Sequence, residues 1–121
     1  MSDNNGENDW GVGFSLIAFL DRILRSHSNV ASVHRHHDIL FDVSRKAQED
    51  VLTVLCINEY SASLDVVMRA VDEFPSVDII FIGGRWNKRT REAAEFCEER
   101  KIGLVNSGEI GIALRKDKYW S

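Results

Sequence analysis

The sequence VLTVLCI, residues 51–57, is almost wholly apolar, and the sequence VDIIFI, residues 77–82, repeats this pattern further along the chain. Strands that are buried on both faces of a sheet are typically continuous apolar runs of this kind. Between the two runs, apolar side chains recur at helical spacing until Pro75 ends the helix. That helical face consists of Leu64, Val67, Met68, Val71 and Phe74. A helix-length connection favours parallel pairing, so we predict that 51–57 and 77–82 are adjacent, parallel and central in one sheet.

The patterns on the amino-terminal side of these two strands predict a helix and a meander. Residues 14–25 carry apolar side chains at helical spacing, which indicates an amphipathic helix. Residues 30–43 then turn toward alternation, with a tight turn around His36 and His37 between two strands. Together with residues 51–57, these two strands form a predicted antiparallel meander.

The carboxyl-terminal side predicts two further helices with a strand between them. A helix is expected over about residues 87–101 and a short strand over residues 102–105. Asn106 and Glu109 resemble a capping box that opens a last helix through Leu114. The predicted fold class is therefore α/β (α+β), a mixed sheet with helices on both faces in the order α-β-β-β-α-β-α-β-α.

Length and composition indicate one domain and limit its partners. With 121 residues, 44% of them hydrophobic, we expect a single α/β domain over residues 10–121 after a disordered acidic tail over residues 1–9. The net charge of −4 excludes a basic nucleic-acid footprint spread over the whole domain. Cys56 and Cys97 lie in separate apolar stretches, which favours buried, reduced thiols. A polar start, and an apolar run at residues 14–20 too short to cross a bilayer, indicate a cytoplasmic protein with no membrane partner.

Three runs in the second half of the chain carry a resemblance to a known family. They are VDIIFIGG at residues 77–84, WNKRTREAA at residues 86–94 and IGLVNSGEI at residues 102–110. Together with the predicted element order, they resemble the restriction-endonuclease-like, or PD-(D/E)xK, superfamily, in particular its methyl-directed, Mrr-type members. The likeness covers roughly residues 14–114, and its second half is architectural rather than catalytic.

The catalytic motif that this resemblance implies is incomplete. The family needs an acid on the second strand and a (D/E/Q)-x-K triplet on the third, which hold Mg²⁺ and activate water. Asp38 matches the first acid, but Cys56 and Asn58 stand where the second acid and the lysine are implied. Glu59 substitutes only if the third strand ends or bulges there, because strand side chains alternate between faces. We therefore expect no catalytic residue and no metal or other cofactor; an active domain would use Asp38 and Glu59, with Mg²⁺ at Asp38.

A cluster of basic residues around one tryptophan is the candidate binding site for nucleic acid or another partner. It consists of Arg85, Trp86, Lys88, Arg89 and Arg91. These residues fall at the predicted start of a helix, where backbone N–H groups attract phosphate, and an aromatic side chain suits base stacking. The alternative is a solvated helix start whose arginines pair with nearby glutamates. That alternative is favoured, because the rest of this acidic chain repels phosphate.

Two other groups of residues have alternative interpretations. His34, His36 and His37 suggest a metal site, but no Cys-x-x-Cys or His-Glu-x-x-His pattern supplies further ligands, so structural or surface histidines are favoured. Tyr119 and Trp120 either fold back on the domain or anchor a partner, since both residue types dominate interface hot spots.

Two classes of function remain open from the sequence. The first is a non-catalytic binding or interaction domain of nuclease-like fold, such as an inhibitor, immunity or accessory protein, which contacts a protein or, through the local basic cluster, a nucleic acid. The second is a metal-dependent nuclease of the restriction-endonuclease-like superfamily. The missing lysine on the third strand favours the first class, and a protein is the preferred partner.

Overall fold

The computed structural model describes residues 8–121, which form four helices and seven strands. In chain order they are α1 (Phe14–Ser26), β1 (Val30–His36), β2 (Leu40–Arg45), β3 (Val51–Cys56), β4 (Ser61–Ala62), α2 (Leu64–Glu73), β5 (Ile79–Phe81), β6 (Lys88–Arg89), α3 (Arg91–Glu99), β7 (Gly103–Val105) and α4 (Ile110–Ala113). The fold is mixed α/β, as the sequence predicts at this level.

Five of the strands form one mixed sheet, in the order β1-β2-β3-β5-β7. The first three are antiparallel neighbours, whereas β3, β5 and β7 run parallel. Leu55 of β3 lies opposite Ile80 of β5, and both strands have a neighbour on each side. The prediction that residues 51–57 and 77–82 are adjacent, parallel and central is therefore confirmed.

The hydrophobic core covers both faces of the central strands. Ile79, Ile80 and Phe81 of β5 are all fully buried. Because successive strand residues point to opposite faces, burial of three in a row requires packing on both sides of the sheet. α2 and α3 contact each other, as expected for two right-handed crossovers that advance in the same direction along a sheet. α1 contacts the edge strand β1, and α4 contacts the opposite edge strand β7.

Two short strands that are absent from the prediction form a separate parallel pair. β4 pairs with β6, so that Ser61 lies opposite Lys88 and Ala62 opposite Arg89. The Lys88 N–H donates a hydrogen bond to the Tyr60 carbonyl oxygen at 2.7 Å. A strand of two residues is too short to produce a detectable hydrophobic period, which is why the sequence does not predict this pair.

The third helix begins later than predicted. α3 starts at Arg91 instead of about residue 87, and Thr90 is its N-cap, with a hydroxyl that accepts a hydrogen bond from the Ala93 N–H at 3.2 Å. Threonine is a preferred N-cap residue, and the backbone before it is already paired with β4. The predicted placement of the basic cluster at a helix start is therefore wrong, since of its members only Arg91 lies in α3.

Asp38 lies in the turn between β1 and β2, not on the second strand. The turn spans residues 37–39, and both His37 and Asp38 have positive φ angles, of 50° and 65°. Aspartate and histidine adopt this left-handed conformation more readily than most residues. The predicted tight turn around His36 and His37 is thus displaced by about one residue, because β1 extends through His36.

The ends of the described chain are attached to the domain. Of the predicted disordered tail, residues 1–7 lie outside the described residues, and Asn8 donates hydrogen bonds to Val12 O and Asp38 Oδ2, both at 2.8 Å. At the other end, the Tyr119 hydroxyl donates to Asp78 Oδ1 at 3.1 Å, so Tyr119 folds back on the domain. Among residues 8–121, no helix is long and apolar enough to cross a membrane.

Candidate functional site

The carboxyl ends of the three parallel strands meet at one edge of the sheet. β3, β5 and β7 end at the same level, since Cys56 lies opposite Phe81 and Phe81 opposite Val105. Hydrogen bonds continue past the strands, from Glu59 N to Ile82 O at 3.1 Å. Ligands of open α/β sheets bind in the crevice outside the carboxyl ends of parallel strands. This edge is therefore the first candidate for a functional site.

Three asparagines, one from the segment after each parallel strand, hold the loop that follows β5. Asn87 donates to Ile82 O at 2.8 Å and to Asn58 Oδ1 at 3.3 Å. Asn106 donates to Asn87 O at 3.0 Å and to Arg85 O at 3.3 Å. We refer to Asn58, Asn87 and Asn106 as the asparagine clamp. These bonds fix the backbone of residues 82–87 from both neighbouring segments.

Gly83 is required where the asparagine clamp approaches the backbone. Its φ angle is +110°, a conformation that other residues rarely adopt. A Cβ atom at this position would lie 2.6 Å from Asn87 Nδ2 and 2.9 Å from Asn58 Oδ1. A side chain at Gly84, by contrast, would meet nothing within 4 Å. The first of the two glycines after β5 therefore has a specific structural role and the second does not.

Arg89 is an internal part of this edge and not a free cation. Its guanidinium forms a bidentate ion pair with Glu109, with Nη1 2.7 Å from Oε1. The Glu109 carboxylate also accepts the Asn106 N–H at 3.0 Å, as in a capping box. The helix does not open at Asn106 as predicted, because α4 begins at Ile110 and its N-cap is Glu109. Hydrogen bonding to Glu109 raises the pKa of Arg89, and the same bond from Arg89 lowers the pKa of Glu109. The predicted pairing of arginines with acids thus includes a partner far away in sequence.

The surface beyond this ion pair carries two large exposed aromatic side chains. Trp86 is 74% exposed and Tyr60 is 73% exposed. The Arg85 guanidinium lies 5.3 Å from the centre of the Trp86 ring, and Lys88 is exposed beside the ribbon of β4 and β6. A groove of about 390 Å³ runs between residues 85–89 and the segment of Asn106 and Glu109. We call Tyr60, Arg85, Trp86 and Lys88 the aromatic–basic surface.

Arg91, the remaining member of the predicted basic cluster, lies on α3. Its Nε donates to Glu95 Oε1 at 2.9 Å, and both side chains are highly exposed. An ion pair this exposed contributes little and is easily rearranged. The structure therefore brings Arg85, Trp86 and Lys88 together on the surface and engages Arg89 and Arg91 with acids. Tyr60 was not identified from the sequence. It lies directly before β4, and only the pairing of β4 with β6 places it next to the basic residues.

The residues in the positions of the nuclease motif do not fit a divalent metal ion. Asp38 is 2% exposed, and its Oδ1 lies 2.9 Å from Arg35 Nη1. Burial and, to a smaller extent, the Asp38 charge together raise the pKa of the Cys56 thiol to about 12, so Cys56 is neutral near neutral pH. Asn58 is an amide engaged in the asparagine clamp. Glu59 follows β3 instead of lying on it, so strand alternation does not decide which way it points.

The histidines do not complete a metal site either. His36 Nδ1 and His37 Nδ1 are 2.8 Å apart, and the His34 and His36 rings stack with centres 5.9 Å apart. Within the described part of the chain, no three His, Cys, Asp or Glu side chains form a group that could hold a metal ion. Asp38 and Glu59 are included in that statement.

Comparison with known proteins identifies no relative. No family model, no curated protein and no solved structure matches this chain.

Proposed function

We propose that this chain is a non-catalytic binding domain with a restriction-endonuclease-like fold, and that it contacts a protein partner as an inhibitor, immunity or accessory protein does. The observation that carries the proposal is the chemistry of Asp38, Cys56 and Asn58. The three positions that the resemblance assigns to catalysis hold an ion-paired acid, a neutral thiol and an amide.

The chemistry of these three groups supports a non-catalytic role. Mg²⁺ needs carboxylate or carbonyl oxygens in near-octahedral geometry, and the reaction needs a base or cation that activates the attacking water. The Asp38 charge is already balanced by Arg35, which would repel a divalent cation. A buried thiol with a pKa of about 12 has no negative charge near neutral pH, and an amide cannot accept a proton. Both metal binding, at Asp38 and Cys56, and water activation, at Asn58, are therefore affected.

The fold part of the proposal rests on element order and sheet arrangement. The meander β1-β2-β3, followed by two parallel crossovers to β5 and β7, is the arrangement that the resemblance implies. The additional β4–β6 pair is inserted between these elements and leaves the order of the five main strands unchanged.

The binding part of the proposal rests on the aromatic–basic surface. Tryptophan, tyrosine and arginine are the residue types most enriched among interface hot spots. Arg85 and Trp86 are exposed and lie against each other, and the exposed Tyr60 is joined to Lys88 by a backbone hydrogen bond. The asparagine clamp holds the loop of Arg85 and Trp86 before any partner arrives, which lowers the entropy that binding would cost. Exposed aromatic residues on a rigid loop are typical of a contact surface.

A cleavage assay tests the non-catalytic character. Purified protein is incubated with supercoiled plasmid and with single-stranded RNA, in Mg²⁺ and in Mn²⁺, and we expect no cleavage. Asp38→Asn keeps the shape of the buried acid, and Asp42→Asn is the matched control on β2, since Asp42 is partly exposed. Metal-dependent cleavage that is lost in Asp38→Asn and retained in Asp42→Asn would overturn the proposal in favour of a nuclease that uses Asp38 and Glu59.

A further inference from the structure

We propose that the aromatic–basic surface binds an acidic, extended peptide segment of a protein partner. In this arrangement Trp86 and Tyr60 contact an apolar side chain of the segment, while Arg85 and Lys88 pair with its carboxylates. The inference rests on the proposed binding function and names the chemical class of the partner.

The charge on this surface differs from that of the chain as a whole. Within the described residues, neither Arg85 nor Lys88 lies within 4 Å of a carboxylate, whereas Arg89 and Arg91 are engaged by Glu109 and Glu95. The chain nevertheless carries a net charge of −4. A positive surface on a negative protein attracts an acidic segment locally and repels an acidic body that extends beyond it. The complementary partner therefore offers a short acidic segment.

Tyr60 and Trp86 are largely exposed, so packing within the described residues 8–121 covers little of either side chain. The other two tryptophans are partly buried: Trp10 lies under the Arg69 guanidinium at 3.7 Å, and Trp120 packs edge-on against Tyr119 with ring centres 5.0 Å apart. Trp86 is 74% exposed, and among residues 8–121 the one ring contact it makes is with Arg85 at 5.3 Å. Burying a tryptophan and a tyrosine against a partner removes a large apolar area from water. A partner segment with one apolar side chain among acidic ones would gain this burial free energy.

A peptide fits the number of cations better than a nucleic acid does. Each phosphate neutralised adds about one unit to the slope of log affinity against log salt, so two free cations imply a slope of about −2 and weak binding at physiological salt. The repeating phosphate charges of a nucleic acid would also extend over the acidic remainder of the protein, which repels them. Two cations beside two aromatic rings are instead sufficient for a short segment with a few carboxylates and one apolar anchor.

The test measures fluorescence anisotropy with three labelled probes. They are a short peptide of Glu, Asp and Leu residues, the same peptide with Lys in place of each acid, and single-stranded oligo(dT). We expect the acidic peptide to bind and the basic peptide not to bind. Trp86→Ala and Arg85→Ala should each weaken binding of the acidic peptide by about tenfold or more, as hot-spot truncations do. Arg115→Ala, an exposed arginine after α4, is the matched control and should change binding less than twofold.

Other outcomes overturn the inference in distinguishable ways. Oligo(dT) binding that is tighter than peptide binding and lost in Trp86→Ala would identify a nucleic-acid surface instead. Peptide binding that is unaffected by Trp86→Ala and Arg85→Ala, or absent altogether, would remove the acidic peptide as the partner class. In each of these cases the cleavage assay still decides separately whether the domain is non-catalytic, since it does not depend on either probe. Unchanged unfolding midpoints of the variants confirm that they are folded.

Discussion

Replacing Gly83 by alanine tests whether the asparagine clamp holds the loop after β5. The added Cβ atom would lie 2.6 Å from Asn87 Nδ2 and 2.9 Å from Asn58 Oδ1, so the Asn87 side chain has to move. Moving it breaks its hydrogen bonds to Ile82 O and Asn58 Oδ1, which contribute about 1 kcal/mol each. Backbone strain at a φ of +110° adds of order 1–3 kcal/mol for a residue with a side chain. We expect the free energy of unfolding to fall by about 3 kcal/mol.

Gly84→Ala is the matched control, because its Cβ atom meets nothing within 4 Å and its φ is not positive. Loss of unfolded-state entropy would leave this variant as stable as the natural protein or more stable by up to about 1 kcal/mol. Urea unfolding followed by circular dichroism measures both variants, and the slope with denaturant should be the same for each. Equal stabilities of Gly83→Ala and Gly84→Ala would refute the role given to Gly83 and to the clamp.

Two further predictions concern ion pairs that hold the domain together. Asp50→Asn should lower the free energy of unfolding by about 2 kcal/mol, because it leaves the guanidinium of Arg45, whose side chain is 1% exposed, without its carboxylate. The cost stays below that of a fully buried pair since Asp50 is 38% exposed and Arg45 keeps its bond to Lys116 O at 2.6 Å; urea unfolding measures it. The Arg89 hydrogen bond lowers the pKa of Glu109, so stability from this group is present above the usual value of 4.5 and is lost as the pH falls through the lowered pKa. Thermal unfolding at several pH values should show a shallower acid dependence in Glu109→Gln, with an effect of no more than about 1 kcal/mol because the pair is partly exposed.

An exposed ion pair on α1 provides the control for Asp50→Asn. Asp21→Asn breaks an exposed pair with Arg25 on α1 and should cost less than about 0.5 kcal/mol. A cost for Asp50→Asn as small as that of Asp21→Asn would contradict the importance of the buried guanidinium. An acid dependence that is identical in Glu109→Gln and the natural protein would show that the Arg89 contact does not contribute to stability.

The central part of the fold could be predicted from sequence because its signals are local and long. Residues 51–57 and 77–82 are almost wholly apolar runs, and burial on both faces is the usual reason for such runs. α1 was predicted to within one residue, because its apolar side chains recur over more than three turns. In these elements hydrophobic periodicity and burial point to the same structure.

The errors lie where tertiary pairing decides the local structure. Residues 87–90 are polar and carry no apolar period, and the sequence predicts a helix from about residue 87, whereas Lys88 and Arg89 in fact pair with β4. Thr90 is the one local signal for the true helix start. Pairing of Arg89 with Glu109 joins residues far apart in sequence and depends on β5 and β7 being neighbours. Single-sequence patterns do not contain that information.

The candidate site was predicted in part. Arg85, Trp86 and Lys88 lie on one exposed surface, but not in the helical arrangement that the sequence suggested. Tyr60 and the asparagine clamp were not anticipated, since exposed aromatic and amide residues in loops have no periodicity. Asn58 and Asn106 each follow closely after a buried strand, which is the signal that could have placed them at the carboxyl edge.

Site-specific photo-crosslinking in the native host tests the location of the binding surface most directly. A photoreactive phenylalanine derivative replaces Trp86 at the carboxyl edge of the sheet, and the same group at Val51, which is 60% exposed at the opposite end of β3, is the control. We expect a discrete protein adduct from position 86, which is lost on Arg85→Ala, and none from position 51. Equal adducts from both positions, no adduct from position 86, or an adduct that nuclease treatment removes would contradict this prediction.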